Sequence, residues 1–110
     1  MNDKISKEAG EKYDLLMPLL NGIYLEMQEL SKKKPDTALN EYKIKAINRI
    51  LIPTKELLQY EDSHSFLDIL NSDDLPTNSD VVLILNQYIR AMNMYKSKYF
   101  SHSLHDWRVN

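Results

Sequence analysis

A chain of 110 residues, 43% hydrophobic, can bury one core but not two. With 14 basic against 16 acidic residues it carries no field that would hold a nucleic-acid backbone by charge alone. The absence of cysteine removes disulfides, thiol nucleophiles and cysteine-based zinc sites, so stability has to come from packing. Two glycines and four prolines are too few turn residues for a sheet protein. The expected fold is all-α, a small bundle of three long helices, two of them proline-kinked, plus a short helix, in one domain spanning 1–110.

The N-terminus MNDKISKEAGEK is polar and lacks the basic patch and apolar run of a leader peptide, and no apolar run approaches the length of a membrane span. A cytoplasmic protein with no membrane association is therefore expected. From residue 4 to about 33, Ala9, Tyr13, Leu16, Leu20, Ile23, Met27 and Leu30 recur in steps of four and three, the heptad seam of a long helix packed at a shallow angle. Pro18 falls within the seam and removes the hydrogen bond to the Asp14 carbonyl, and Gly22 follows one turn later, which predicts a kink. Leu15, Leu19 and Leu25 widen the apolar surface beyond the seam and imply a second neighbour. Lys32, Lys33 and Lys34 suit the negative end of the helix dipole and precede the stop signal Pro35.

A second amphipathic helix is expected over Asp36 to Tyr60, interrupted or kinked at Pro53. At about 100° per residue its core face holds Leu39, Ala46, Ile47, Ile50, Leu57 and Leu58, with Ile44 and Leu51 at the shoulder. Lys43 falls inside that apolar arc. Its stem can lie on apolar surface with the ammonium in water, or the cation can enter a groove between helices and meet an anion there. Lys45, Asn48 and Arg49 occupy the polar side of the same helix. Polar residues Glu61 to Ser63 break the pattern, and Phe66, Leu67, Ile69 and Leu70 predict a short helix over 64–70 that would act as a lid or bridge. NSDDLPTN, residues 71–78, is a loop whose aspartates lack the spaced ligands of a calcium loop.

Thr77 and Asp80 form a capping box that opens the third long helix, with Val81, Leu85, Tyr88, Met92, Tyr95 and Tyr99 along its seam. The tyrosines are expected at the core edge with hydroxyls in water, or else in a pocket or subunit contact. In the tail, residues 100–110, Leu104 and Trp107 are expected to dock on the bundle or on another chain. His102, His105 and Asp106 are too few and too ordinary to specify a metal site, so no metal and no cofactor is assigned.

No nucleophile elbow occurs in this glycine-poor chain, and Arg49 and Arg90 lack the following histidine of one all-helical ribonuclease type. The expected function is therefore non-enzymatic: a helical interaction protein, accessory or regulatory, acting through a protein partner or as a homo-oligomer. Tyr99, Leu104 and Trp107 are its candidate interface. The alternative is a protein that binds, senses or sequesters an anionic small molecule, phosphorylated or nucleotide, with Lys43, Lys45, Asn48, Arg49, Tyr88 and Tyr95 as candidate ligands.

Overall fold

The computed structural model describes residues 3–110. Helix α1 runs from Lys7 to Lys33, helix α2 from Glu41 to Leu57 and helix α3 from Asn78 to Tyr99. Short 3-10 turns occupy Asp62–Phe66 and Ser72–Asp74, and two-residue strands β1 (Phe100–Ser101) and β2 (Asp106–Trp107) pair antiparallel after α3. The molecule is an elongated helical bundle, 44 Å in its longest extent.

Each helix start is set by a side-chain acceptor that satisfies a free backbone N–H. Ser6 accepts from the Ala9 N–H, Asn40 from the Lys43 N–H at 2.8 Å, and Thr77 and Asp80 form the expected reciprocal box. Within α1 and α2, Pro18 and Pro53 are accommodated without ending either helix, so α2 is a single piece. It nevertheless begins later than the expected Asp36. Residues 37–39 are diverted to another element: Ala38 bridges Thr77, Leu39 N–H donates to the Pro76 carbonyl, and Asn78 N–H donates to the Thr37 carbonyl. The Asn78 side chain adds a bond to the Lys34 carbonyl at 2.7 Å. These contacts bring the end of α1 and the starts of α2 and α3 together at one pole.

The helix order follows from that junction. α1 runs towards the pole, while α2 and α3 both run away from it, so the chain must return between them. The short helix expected over 64–70 is present only as the 3-10 turn that ends at Phe66, and the chain returns in extended conformation through residues 67–71. Leu67 and Leu70 are buried on this path. Asn48 on α2 accepts from the Leu70 N–H at 3.0 Å and donates to the Leu70 carbonyl at 2.8 Å, replacing a strand partner with one amide side chain. Tyr88 on α3 donates its hydroxyl to the Asp68 carbonyl at 2.8 Å.

The core of α1 follows the expected seam, with Tyr13, Leu16, Leu20 and Met27 buried and Ala9, Ile23 and Leu30 packed at its margin. That of α3 also agrees: Val81, Leu85, Tyr88, Met92 and Tyr95 are buried, joined by Ala91. α2 is rotated from the expected arc. Ile44, Ile47, Leu51, Thr54 and Leu58 are buried, whereas Ala46 is exposed and Ile50 and Leu57 are half-buried. The centre of the arc shifts because the returning segment covers the Asn48 side and because Thr54 joins the core. Its hydroxyl is satisfied within the helix by the Ile50 carbonyl at 2.7 Å.

Asn48→Ala leaves the Leu70 N–H and carbonyl without partners in a half-buried setting, each costing about 1–3 kcal/mol. Urea unfolding should show a loss of roughly 2–4 kcal/mol, against about 1–2 kcal/mol for Tyr88→Phe, which frees one carbonyl. An unchanged midpoint for Asn48→Ala would mean that the return path is not held by this amide.

Candidate functional site

At the pole opposite the helix junction, Trp107 closes the bundle. Its ring meets Tyr13 edge to face at 4.7 Å between centroids, and Phe100 at 5.3 Å. Tyr95 stacks parallel to Tyr13 at 6.0 Å and also contacts Tyr99. The indole N–H points at the Asp14 carboxylate, 3.3 Å from each oxygen. Gly10 on α1 permits this approach, since a Cβ there would lie 2.8 Å from Trp107 Cδ1. Beside the ring, Ile5 N–H donates to the Arg108 carbonyl and Asn110 N–H donates to the Ile5 carbonyl, joining the two ends of the described chain. The tail is thus a small hairpin, with His105 at φ 53° in its turn, rather than an extension of α3.

Trp107 docks the tail on the chain's own bundle. Leu104 does not: it stands 72% exposed at the hairpin turn. Tyr99 is half-buried and donates to Glu61 Oε2 at 3.0 Å, while Lys98 Nζ lies 3.8 Å from Glu61 Oε1. Tyr88 and Tyr99 therefore give their hydroxyls to protein acceptors rather than to water. Burial raises Tyr13 to about 12, assisted by the Asp14 charge. Tyr95 is likewise pushed up to about 12 by burial, then by Glu61. Burial also raises Tyr88, with a further push from Asp68.

The six residues anticipated for an anionic ligand do not gather around one cavity. Asn48 and Tyr88 are committed to the backbone of the return segment. Lys45 and Arg49 are exposed on α2, and Tyr95 faces a cleft shared with Lys4, Glu56, Glu61 and Tyr99. Lys43 lines a different concavity, and among the described residues no carboxylate oxygen lies within 4 Å of its ammonium. No group of three or more potential metal-ligating side chains occurs among the described residues, and His102 packs its ring against Phe100 at 5.4 Å.

The concavity beside Lys43 is a groove of ≈ 640 Å³ between the second half of α1 and the first half of α2. Ile23, Met27, Leu30, Ala46 and Ile47 supply an apolar floor and walls. Glu26, Glu29, Lys33 and Lys43 stand around it, and Tyr42, 81% exposed, and Leu25, 60% exposed, lie at its margin. The groove exists because α2 turns Ile44 and Ile47 inward and leaves Ala46, too small to reach across, opposite Ile23 and Leu30. The sequence left Lys43 either lying on apolar surface with its ammonium in water or entering a groove between helices; it is exposed at the lining of one, and nothing in the sequence signalled how apolar that groove is. Gly10 and Glu61 carried no signal beyond the rarity of glycine in this chain. Comparison with protein-family models, with curated proteins and with solved structures found no match in any of the three.

Gly10→Ala forces the indole to shift, and overpacking of this kind costs about 1–3 kcal/mol. The single tryptophan reports the result: its emission should move towards that of exposed indole while helicity stays near wild type. A second expectation concerns alkali. The buried tyrosines hold their protons more tightly folded than unfolded, so their contribution is complete below pH 10 and is lost as pH rises from about 10 towards 12. Each such tyrosine adds a slope of up to about 1.4 kcal/mol per pH unit in that window. Urea midpoints measured from pH 8 to 11.5 should be flat and then fall, and Tyr13→Phe should reduce the fall.

Proposed function

We propose that this chain is a non-enzymatic helical interaction module, an accessory or regulatory subunit that acts by protein-protein contact or self-association. The observation that carries this reading is the apolar groove between α1 and α2, with Tyr42 and Leu25 exposed beside it. A groove between two helices, floored by Ile, Leu and Met and edged by charge, suits an amphipathic helix presenting residues at i, i+3 and i+4. Exposed aromatic and leucine side chains at the margin match the composition of interface anchors rather than of solvated surface. The anionic-ligand reading retains Lys43 at the groove, but Asn48 and Tyr88 are engaged by the backbone of the return segment.

A photo-crosslinking amino acid placed at Ala46, in cells making the protein, tests the reading directly. Adducts of discrete mass are expected from position 46 and not from Asp73, which is exposed on the loop between α2 and α3. Equal labelling at both positions, or none at 46, would overturn it. A phosphorylated compound found in native mass spectra and lost on Lys43→Ala would favour the small-molecule reading instead.

A further inference from the structure

α1 carries a second heptad seam that its own bundle leaves uncovered. Glu8, Lys12, Leu15, Leu19, Gly22, Glu26, Glu29 and Lys33 recur in steps of four and three and fall within an arc of about 100°. All eight are exposed, with Leu15 at 65% and Leu19 at 47%. At its centre stands Gly22, where an added Cβ would meet nothing within 4 Å. Glycine in a helix interior costs about 1 kcal/mol relative to alanine, and no packing within this chain accounts for it. An exposed helical face with two leucines and a central gap for a close approach is built to receive another helix.

We infer that the occupant is α1 of a second copy of this chain, lying antiparallel along the seam and forming a two-fold dimer; this rests on the interaction reading above and names its partner. The argument is charge. In antiparallel packing, a positions of one helix face d positions of the other. Aligned over the full seam, Glu8 faces Lys33, Lys12 faces Glu29, Leu15 faces Glu26 and Leu19 covers Gly22, and the two-fold axis repeats each pair. A parallel pair would set five like charges against themselves. Sliding the antiparallel pair by one heptad in one direction sets Leu15 against Leu19 but brings Glu8 against Glu26 and loses both Glu–Lys pairs, and in the other it sets the leucines against Glu29 and Lys33. Only the full overlap pairs Glu8 with Lys33 and Lys12 with Glu29, and it sets Leu15 beside the aliphatic stem of Glu26. Glu29 already holds Lys32 at 3.1 Å, but both groups are about 70% exposed and such a pair is weak enough to exchange partners. In this register Leu15 of the copy stands level with Glu26, at the edge of the groove formed by Ile23, Leu30 and Tyr42.

Sedimentation equilibrium on the full chain tests the inference, with a mass of about twice 12.9 kDa expected at micromolar to submillimolar concentration. Leu19→Asp should give a monomer with unchanged helicity, since the residue touches solvent in the isolated chain. Lys12→Glu sets two like-charge pairs across the axis and should raise the dimer dissociation constant roughly tenfold or more. Adding Glu29→Lys should bring it back to within about threefold of wild type. A mass that stays at 12.9 kDa, or a dimer indifferent to Leu19→Asp and to the Lys12 and Glu29 exchange, overturns the proposal. If the monomer nonetheless yields discrete heterologous adducts from position 46, the dimer fails and the interaction reading stands. If position 46 also yields nothing, both fail.

Discussion

An extended segment inside a helical bundle cannot satisfy its own backbone, and the rest of this fold is arranged around that requirement. α2 and α3 run the same way, so the chain between them has to travel back along the length of α2. A helix there would be self-sufficient. Residues 67–71 are not, and they borrow partners from both flanking helices: the Asn48 amide closes on both backbone groups of Leu70, and the Tyr88 hydroxyl reaches the Asp68 carbonyl. An unpaired backbone group in this setting would cost about as much as a lost buried hydrogen bond. Asn48 and Tyr88, which look free in sequence, are therefore part of the scaffold.

The opposite requirement operates where the chain ends. Residues near the first turn of α1 and the last residues of the tail have little local structure to hold them, and a bundle of this size tolerates few loose ends. Trp107 supplies the anchor. Its ring occupies space that Gly10 leaves, and its N–H is met by Asp14, so one residue is both packed and satisfied. With the indole fixed, Arg108 and Asn110 fall into hydrogen-bonding range of Ile5, and α1 is joined at its start to the end of α3. The tyrosines packed around the ring are correspondingly difficult to ionise.

Helix existence and the seams of α1 and α3 were legible because those signals are local and repeated: a capping residue, then apolar positions at steps of four and three. The face of α2 was less so. Eight apolar residues spread over about 160° of its circumference, and periodicity alone could not say that Ile44 and Leu51 would be central while Ala46 would face out. That choice depends on neighbours 20 or more residues away. The short helix expected over 64–70 failed for a related reason: Phe66, Leu67, Ile69 and Leu70 are compatible with either period, and the requirement to span the bundle selects the longer rise of extended chain. For Lys43 the sequence offered apolar surface with the ammonium in water or a groove between helices, and Asn48 and Tyr88 stood as candidate ligand groups because their backbone partners are distant in sequence. Tyr99 and Trp107 are held within the monomer, which leaves Leu104 as the exposed member of the expected interface.

The leucines outside the first seam of α1 gave the most useful mismatch. Their number implied a second neighbour for the helix, and the chain itself provides none at Leu15 and Leu19. A monomer could remove that apolar surface by substituting polar residues at no cost to its core, and could replace Gly22 by alanine with a gain in helix propensity. Retaining all three makes physical sense if a second helix lies along them. The charges flanking the leucines then decide between partners, because a face reading acid, base, leucine, leucine, glycine, acid, acid, base sets its outer charges against opposite ones at both ends only when reversed. In that arrangement the stripe on α1 borders the groove between α1 and α2, sharing Glu26, Glu29 and Lys33 with its lining.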